Sequence, residues 1–196
     1  MDFTIYRAKE DDLVKGCKRG DHHSQQRLFD LYSARMYGVC SRYVKNTMQA
    51  EDILVMGFTK VFEKISQFKG EGSFEGWIRR IMVNESLSYL RKTRAMMIET
   101  DLEKAEREPD YDRLASHLEA EDHLKMIEKL PPGYKVVFNM YAIDGYSHKE
   151  IAEALGINEN TSKSQLSRAR VYLQKLLAES DWPMDQNQRN HDSTTW

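Results

Sequence analysis

Between Ser147 and Leu177 the chain reads SHKEIAEALGINENTSKSQLSRARVYLQKLL, and this stretch restricts the fold more than any other. Ser147 with Glu150 three residues later is a capping-box pattern, so a helix is expected to begin there. Ile151, Ala152 and Leu155 fall on one face of it, and Gly156 stands where such a helix stops. The pattern resumes at Thr161. Leu166, Ala169, Leu173, Leu176 and Leu177 then recur at steps of three and four, an apolar stripe of helical period. The other face carries Lys163, Ser164, Gln165, Arg168 and Arg170. From Thr161 to Leu177 there are four basic residues and no acidic one. A short helix, a Gly-containing turn and a basic second helix make a helix-turn-helix, whose second helix enters a DNA major groove. The plainer reading is a helical hairpin with a solvated basic face; the cap, the turn spacing and the single sign of charge favour DNA.

The net charge of -2 conceals a division along the chain. Residues 1–95 carry a net +5, residues 96–130 a net -6 and residues 131–196 a net -1. A positive half and a basic helix are thus separated by an acidic bridge, and the total says little about nucleic acid. Charged residues make up 31% of the chain and glycine and proline are few, which points to helices. No apolar run approaches the roughly 20 residues of a membrane span, and the first residues, MDFTIYRAKEDD, lack the apolar core of a secretory signal. Cys17 and Cys40 have no metal-ligand spacing and read as free thiols of a reducing cytoplasm. No metal, cofactor or small-molecule substrate is called for, no catalytic residue set stands out, and the chain is not expected to be an enzyme.

In chain order, an amphipathic pattern from Asp11 to about Leu31 is broken at Gly20-Asp21, where Asp21 can cap the next helix. Leu31 to Val44 reads as a second, aromatic-rich helix ending at Asn46-Thr47. QAEDILVMGFTKVFEKISQF starts another, with Ile53, Leu54, Phe58, Val61, Phe62 and Ile65 as its apolar face. KGEGS, Lys69 to Ser73, cannot continue it and is a flexible loop. SFEGWIRRIMVNESLSYLRKTR follows, with Arg79, Arg80, Asn84, Ser88, Arg91, Lys92 and Arg94 along a basic flank. Basic side chains beside a mobile, aromatic-rimmed loop suit backbone contact and base capture, while Trp77 reads as a core anchor. Met96 to about Ser116 lacks periodicity and is expected to be a linker. A helix from about Leu118 to Leu130 stops at Pro131-Pro132, and Pro132 can open the next.

Three blocks together resemble bacterial RNA polymerase sigma factors of the extracytoplasmic-function type, over about residues 10–178. QAEDILVMGFTKVFEKISQF is similar to the helix that binds the clamp of the polymerase's largest subunit. FKGEGSFEGWIRRIMVNESLSYLRK is similar to the segment that opens and reads the −10 element. LPPGYKVVFNMYAIDGYSHKEIAEALGINENTSKSQLSRAR is similar to the domain that reads the −35 element. The resemblance implies that Glu51, Asp52, Phe58 and Lys60 meet core polymerase. It implies that Lys69, Gly70, Ser73, Phe74, Arg80, Asn84, Ser88, Arg91 and Lys92 meet the −10 DNA. It implies that Lys163, Ser164, Gln165, Ser167, Arg168 and Arg170 meet the −35 DNA. The chain departs from the family at Val55 and Met56, where Gln and an acidic residue are usual, and at Gly57 in mid-helix. It departs again at Asn160, Ser162 and Gln165, where Gly, Val and Arg are common.

The expected architecture is all-α, two small helical domains joined by a flexible acidic linker. Residues 1–95 form the N-terminal domain, 96–117 the linker, 118–180 the helix-turn-helix domain and 181–196 a disordered tail. The expected partners are core RNA polymerase, promoter DNA both double- and single-stranded, and an anti-sigma factor, all in the cytoplasm. The rivals are a regulator that binds duplex DNA without polymerase, and a helical adaptor whose basic faces are merely solvated.

Overall fold

The computed structural model describes residues 3–93 and 125–179, with side chains over 10–93 and 125–177. These residues form α1 (Phe3–Lys18), α2 (His22–Ser41), α3 (Thr47–Lys64), a 3-10 turn (Ile65–Gln67) and α4 (Phe74–Lys92). Then come α5 (Pro132–Phe138), a π turn (Asn139–Ile143), α6 (His148–Leu155) and α7 (Glu159–Glu179), with no strand among the described residues. Residues 125–128 are helical as well. The all-α expectation holds. The linker expected over 96–117, the tail over 181–196 and most of the helix expected from Leu118 lie outside the described residues.

The caps explain where the helices begin. Asp21 accepts from the His23 and Ser24 N–H groups at 3.3 and 3.1 Å and starts α2, satisfying donors that the first turn leaves open. From there α2 runs unbroken to Ser41, so the separate helix expected from Leu31 is part of it. Leu28, Tyr32, Met36 and Val39 keep the helical step across that boundary and all are buried; composition changes there and period does not. Asn46, expected to end a helix, begins one, its side chain accepting from the Met48 N–H at 2.8 Å. Ser73 caps α4 through the Gly76 N–H, and Pro132 takes the first turn of α5, where its missing N–H costs nothing. Both halves of the Ser147–Glu150 capping box are present, and Gly156 ends α6 at φ +68°. Asn158 accepts from the Thr161 N–H at 2.7 Å, so α7 starts at Glu159, ahead of the expected Thr161.

α2, α3 and α4 pack into a bundle around Leu28, Tyr32, Met36, Ile53, Val61, Ile78, Met82 and Leu87, all essentially closed to solvent. α1 lies against α2. Cys17 and Cys40 are buried free thiols, and burial pushes each up to about 11, so neither is a thiolate at neutral pH. α5, α6 and α7 form the second unit, where Ile127, Leu130, Ala169 and Leu173 make a small core. Val136, Val137, Met140, Ile151, Leu155 and Leu166 belong instead to the apolar cluster of the first unit. The two units are therefore packed on each other, with α6 against α4.

Candidate nucleic-acid interface

Glu51, Asp52, Val55 and Met56 share the open side of α3, with Met48 a turn earlier. Met48, Val55 and Met56 are 69%, 60% and 43% exposed, so α3 presents an apolar strip flanked by carboxylates. Phe58 does not belong to it. Phe58 is 2% exposed, its ring 4.7 Å from Phe29 and 6.1 Å from Phe62, and the polymerase contact expected of it is corrected to a core position. The helical step accounts for this, because Phe58 shares a face with Leu54, Val61 and Ile65. Lys60 reaches over to Glu85 of α4 and neutralises a carboxylate that is only 6% exposed. Lys60→Ala strands that carboxylate and is expected to cost about 1–2 kcal/mol in urea unfolding. An unchanged midpoint would mean that Glu85 is satisfied otherwise.

The loop between the 3-10 turn and α4 is pinned at both ends and open between. Lys18 Nζ donates to the Phe68 carbonyl at 2.7 Å before it, and Ser73 caps α4 after it. Lys69, Gly70, Glu71, Gly72 and Ser73 are exposed. Gly70 and Gly72 take φ of +80° and +81°, a backbone that side-chain-bearing residues rarely adopt, which is why two glycines sit here. Phe74 was expected to meet DNA and is instead 2% exposed, a further correction. Its ring lies 4.9 Å from Phe68, 5.7 Å from Trp77 and 5.9 Å from Tyr32. Of the two aromatics opening α4, Phe74 is buried and Trp77 is half-buried against the same core, the anchor expected of it.

Along α4, Arg80, Asn84, Arg91 and Lys92 are exposed and Ser88 is partly so, on one side of the helix at steps of three and four. Glu75 is engaged by Arg35 at 2.8 Å and Arg79 at 3.3 Å, which holds the first turn of α4 to α2. Arg80 faces the C-terminal unit: its guanidinium is 3.7 Å from Glu150 and 5.8 Å from the Tyr146 ring centre. Arg91 Nη1 donates to the Ala154 carbonyl at 3.1 Å. The resemblance gave no sign of these two engagements, because their partners lie on the other side of the acidic bridge.

In the helix-turn-helix, Lys163 is exposed, and Ser164, Ser167, Arg168 and Arg170 are half-buried. The Ser164 hydroxyl donates to the Thr161 carbonyl at 3.0 Å and can still accept. Gln165 is only 4% exposed, so its expected place among the DNA-facing residues is corrected. Ser162 and Gln165 lie on the same side of α7 as Leu166 and Ala169, the side that packs. Ser162 pairs with His148 Nδ1 at 2.9 Å, and His148 stacks on Tyr141 at 4.5 Å, which fastens the start of α6 to α7. Burial, then Lys163 and Arg170, hold the His148 imidazole below its ordinary value, so the ring stays neutral beside the basic helix. Hydrogen bonds from Ser147, then Arg80, hold the Glu150 carboxyl below the usual range. No three His, Cys, Asp or Glu side chains among the described residues could hold a metal.

One unit thus carries a basic second helix in a helix-turn-helix, and the other a basic flank beside an open loop. Residues 28–96 match the family described as Sigma-70 region 2, and residues 121–173 match Sigma-70, region 4. The chain is 25% identical over 186 residues to RNA polymerase sigma-H factor of Pseudomonas aeruginosa, covering 88% of this chain and 96% of that one. It is 28% identical over 176 residues to ECF RNA polymerase sigma factor SigW of Bacillus subtilis, covering 84% and 94%. Among solved structures it resembles the sigma factor RpoE in complex with the anti-sigma factor NepR from Bartonella quintana. That likeness has TM-score 0.51 and 22% identity over 79% of this chain and 97% of that one. The chain belongs to the sigma-70 family, in its extracytoplasmic-function group. Its function is that of a sigma factor, promoter-specific initiation of transcription by RNA polymerase.

Proposed function

We propose a division of that function among three faces of the molecule. The open side of α3, with Glu51 and Asp52 around the apolar strip of Met48, Val55 and Met56, docks on the clamp of core polymerase. Lys60 supports it from behind. The loop of Lys69, Gly70 and Ser73 holds an extruded base of the −10 element, and Arg80, Asn84, Ser88, Arg91 and Lys92 track the strand. Lys163, Ser164, Ser167, Arg168 and Arg170 meet the −35 duplex from the major groove. The chain is an initiation factor that catalyses no reaction of its own and works in the cytoplasm. An anti-sigma factor, such as the one bound to the Bartonella relative, is the expected antagonist.

The observation that carries this reading is the line of Arg80, Asn84, Ser88, Arg91 and Lys92 beside a loop opened by two left-handed glycines. Unstacking a base costs a few kcal/mol, which contacts made only to the opened strand must offset. The test is run-off transcription by reconstituted holoenzyme on duplex and on pre-melted templates of one promoter. Asn84→Ala with Lys92→Ala is expected to lower initiation about tenfold on duplex and much less on the pre-melted template. Arg168→Ala is expected to lower both alike, by about 1–3 kcal/mol, because it acts at the intact −35 duplex. Equal losses from the α4 pair on both templates would overturn the strand-tracking role.

A further inference from the structure

Among the described residues the methionines fall into two groups. Met36, Met82 and Met140 have no exposed surface, and Met126 is half-buried against the small core of the second unit. Met48 and Met56, in contrast, stand open on α3, 69% and 43% exposed. The Met82 thioether lies directly behind that helix, in the room left by Gly57, so α3 shields one methionine and presents two others. Met48 is held in the first turn by the Asn46 cap, whose side chain accepts from its N–H at 2.8 Å. Eight residues on, about 12 Å along the axis, Met56 stands on the same open side with Val55 beside it. A thioether must be reached to be oxidised, and a peroxide in solution reaches these two before the three that are closed.

We propose that Met48 and Met56 form a reversible oxidation site, and that their conversion to sulfoxides by a peroxide weakens the docking of α3 on core polymerase. The proposal rests on the assignment of this strip to the clamp made above. In the step, a sulfur lone pair attacks one peroxide oxygen, an S–O bond forms and the O–O bond breaks. The sulfur is oxidised by two electrons, and the other oxygen leaves as hydroxide, which takes up a proton to become water. A dithiol reverses the change: its two sulfurs join in a disulfide and the sulfoxide oxygen leaves as water. Each sulfoxide sets a strongly polar oxygen on a face whose burial is favourable because it is apolar. An oxygen that gives up water at the interface without gaining a partner opposes docking. Glu51 and Asp52, on the same side of α3, are untouched by peroxide, so the polar part of the contact survives and docking is weakened rather than abolished.

The test exposes the full chain to hydrogen peroxide, destroys the excess with catalase, and then measures affinity for purified core polymerase. Peptide masses after digestion report which methionines have gained an oxygen, and circular dichroism reports the helix content. Met48 and Met56 are expected to gain oxygen ahead of Met36, Met82 and Met140, with helix content unaltered. Affinity for core is expected to fall about tenfold and to return after treatment with methionine sulfoxide reductases and a dithiol. Each affinity is compared with that of the same protein before peroxide. In the variant carrying both Met48→Leu and Met56→Leu, peroxide is expected to leave that comparison level. An equal fall in this variant would overturn the proposal, since the oxidised group would then lie elsewhere. So would loss of helix, oxidation of the buried methionines first, or full affinity in protein carrying both sulfoxides. Where oxidation fails to weaken binding, unoxidised Val55→Asn tells the causes apart. Weaker binding by that variant leaves α3 on the clamp and removes only the oxidation site, whereas unchanged binding removes the clamp assignment as well.

Discussion

Phe74→Ala is expected to destabilise the N-terminal unit by about 3–5 kcal/mol, the usual range for deleting a buried aromatic ring. Total stabilities of domains are of the order of 5–15 kcal/mol, so much of the fold's margin rests on this side chain. The ring fills the space between Phe68, Trp77 and Tyr32, and the surrounding helices are too tied to close the gap: Arg35 and Arg79 hold Glu75 in the same turn. Urea unfolding followed by tryptophan fluorescence measures the loss, with Trp77 as a local reporter. The competing account, in which Phe74 stacks on a promoter base, predicts unaltered stability and a defect confined to promoter melting. A midpoint matching the parent protein would therefore return Phe74 to the DNA face.

Gly57→Val is expected to cost about 3 kcal/mol, at the upper end of ordinary overpacking. Helix propensity alone argues the other way, since glycine inside a helix is about 1 kcal/mol worse than alanine. A Cβ at residue 57 would lie 2.2 Å from Met82 Sδ and 2.9 Å from Met82 Cε, so the thioether must leave its place. Met82 has no exposed surface and its flexible chain has nowhere open to go. The glycine lets α3 and α4 approach closely, and that approach sets the apolar strip of α3 relative to the basic flank of α4. Combining Gly57→Val with Met82→Ala should recover at least half of the loss in a double-mutant cycle. A fully stable Gly57→Val protein would show that the two helices do not meet in this way.

The site was partly legible, and the residues read wrongly share a cause. Phe58, Phe74 and Gln165 were assigned by their place in a motif, although each falls on the inward face of its own helix by simple periodicity. Phe58 steps with Leu54 and Val61, and Gln165 with Ser162 and Ala169. Periodicity was the better guide where the two disagreed. Where they agreed, as for Glu51, Asp52, Asn84, Lys92 and Lys163, the side chain is exposed. The boundary drawn at Leu31 failed for a related reason: a run of aromatics is a change of composition, and only a cap or a breaker ends a helix.

The sequence by itself determined the helices and most of their ends. Caps such as Asp21, Ser73 and the Ser147–Glu150 pair act within one turn, and an apolar stripe needs only the 3.6-residue period. The same short-range signals placed the helix-turn-helix and the open loop, while the family came from the resemblance of three whole blocks of sequence. What only the tertiary structure decided are the contacts between distant segments. Gly57 has no local justification until Met82 is brought against it. Asp144, Arg42 and Tyr43 meet across about a hundred residues, and Arg80 and Arg91, though exposed, find Glu150 and the Ala154 carbonyl only once α6 is packed on α4. Such contacts depend on how whole helices stack, which is settled by the sum of many small packing terms and written in no single stretch of the chain.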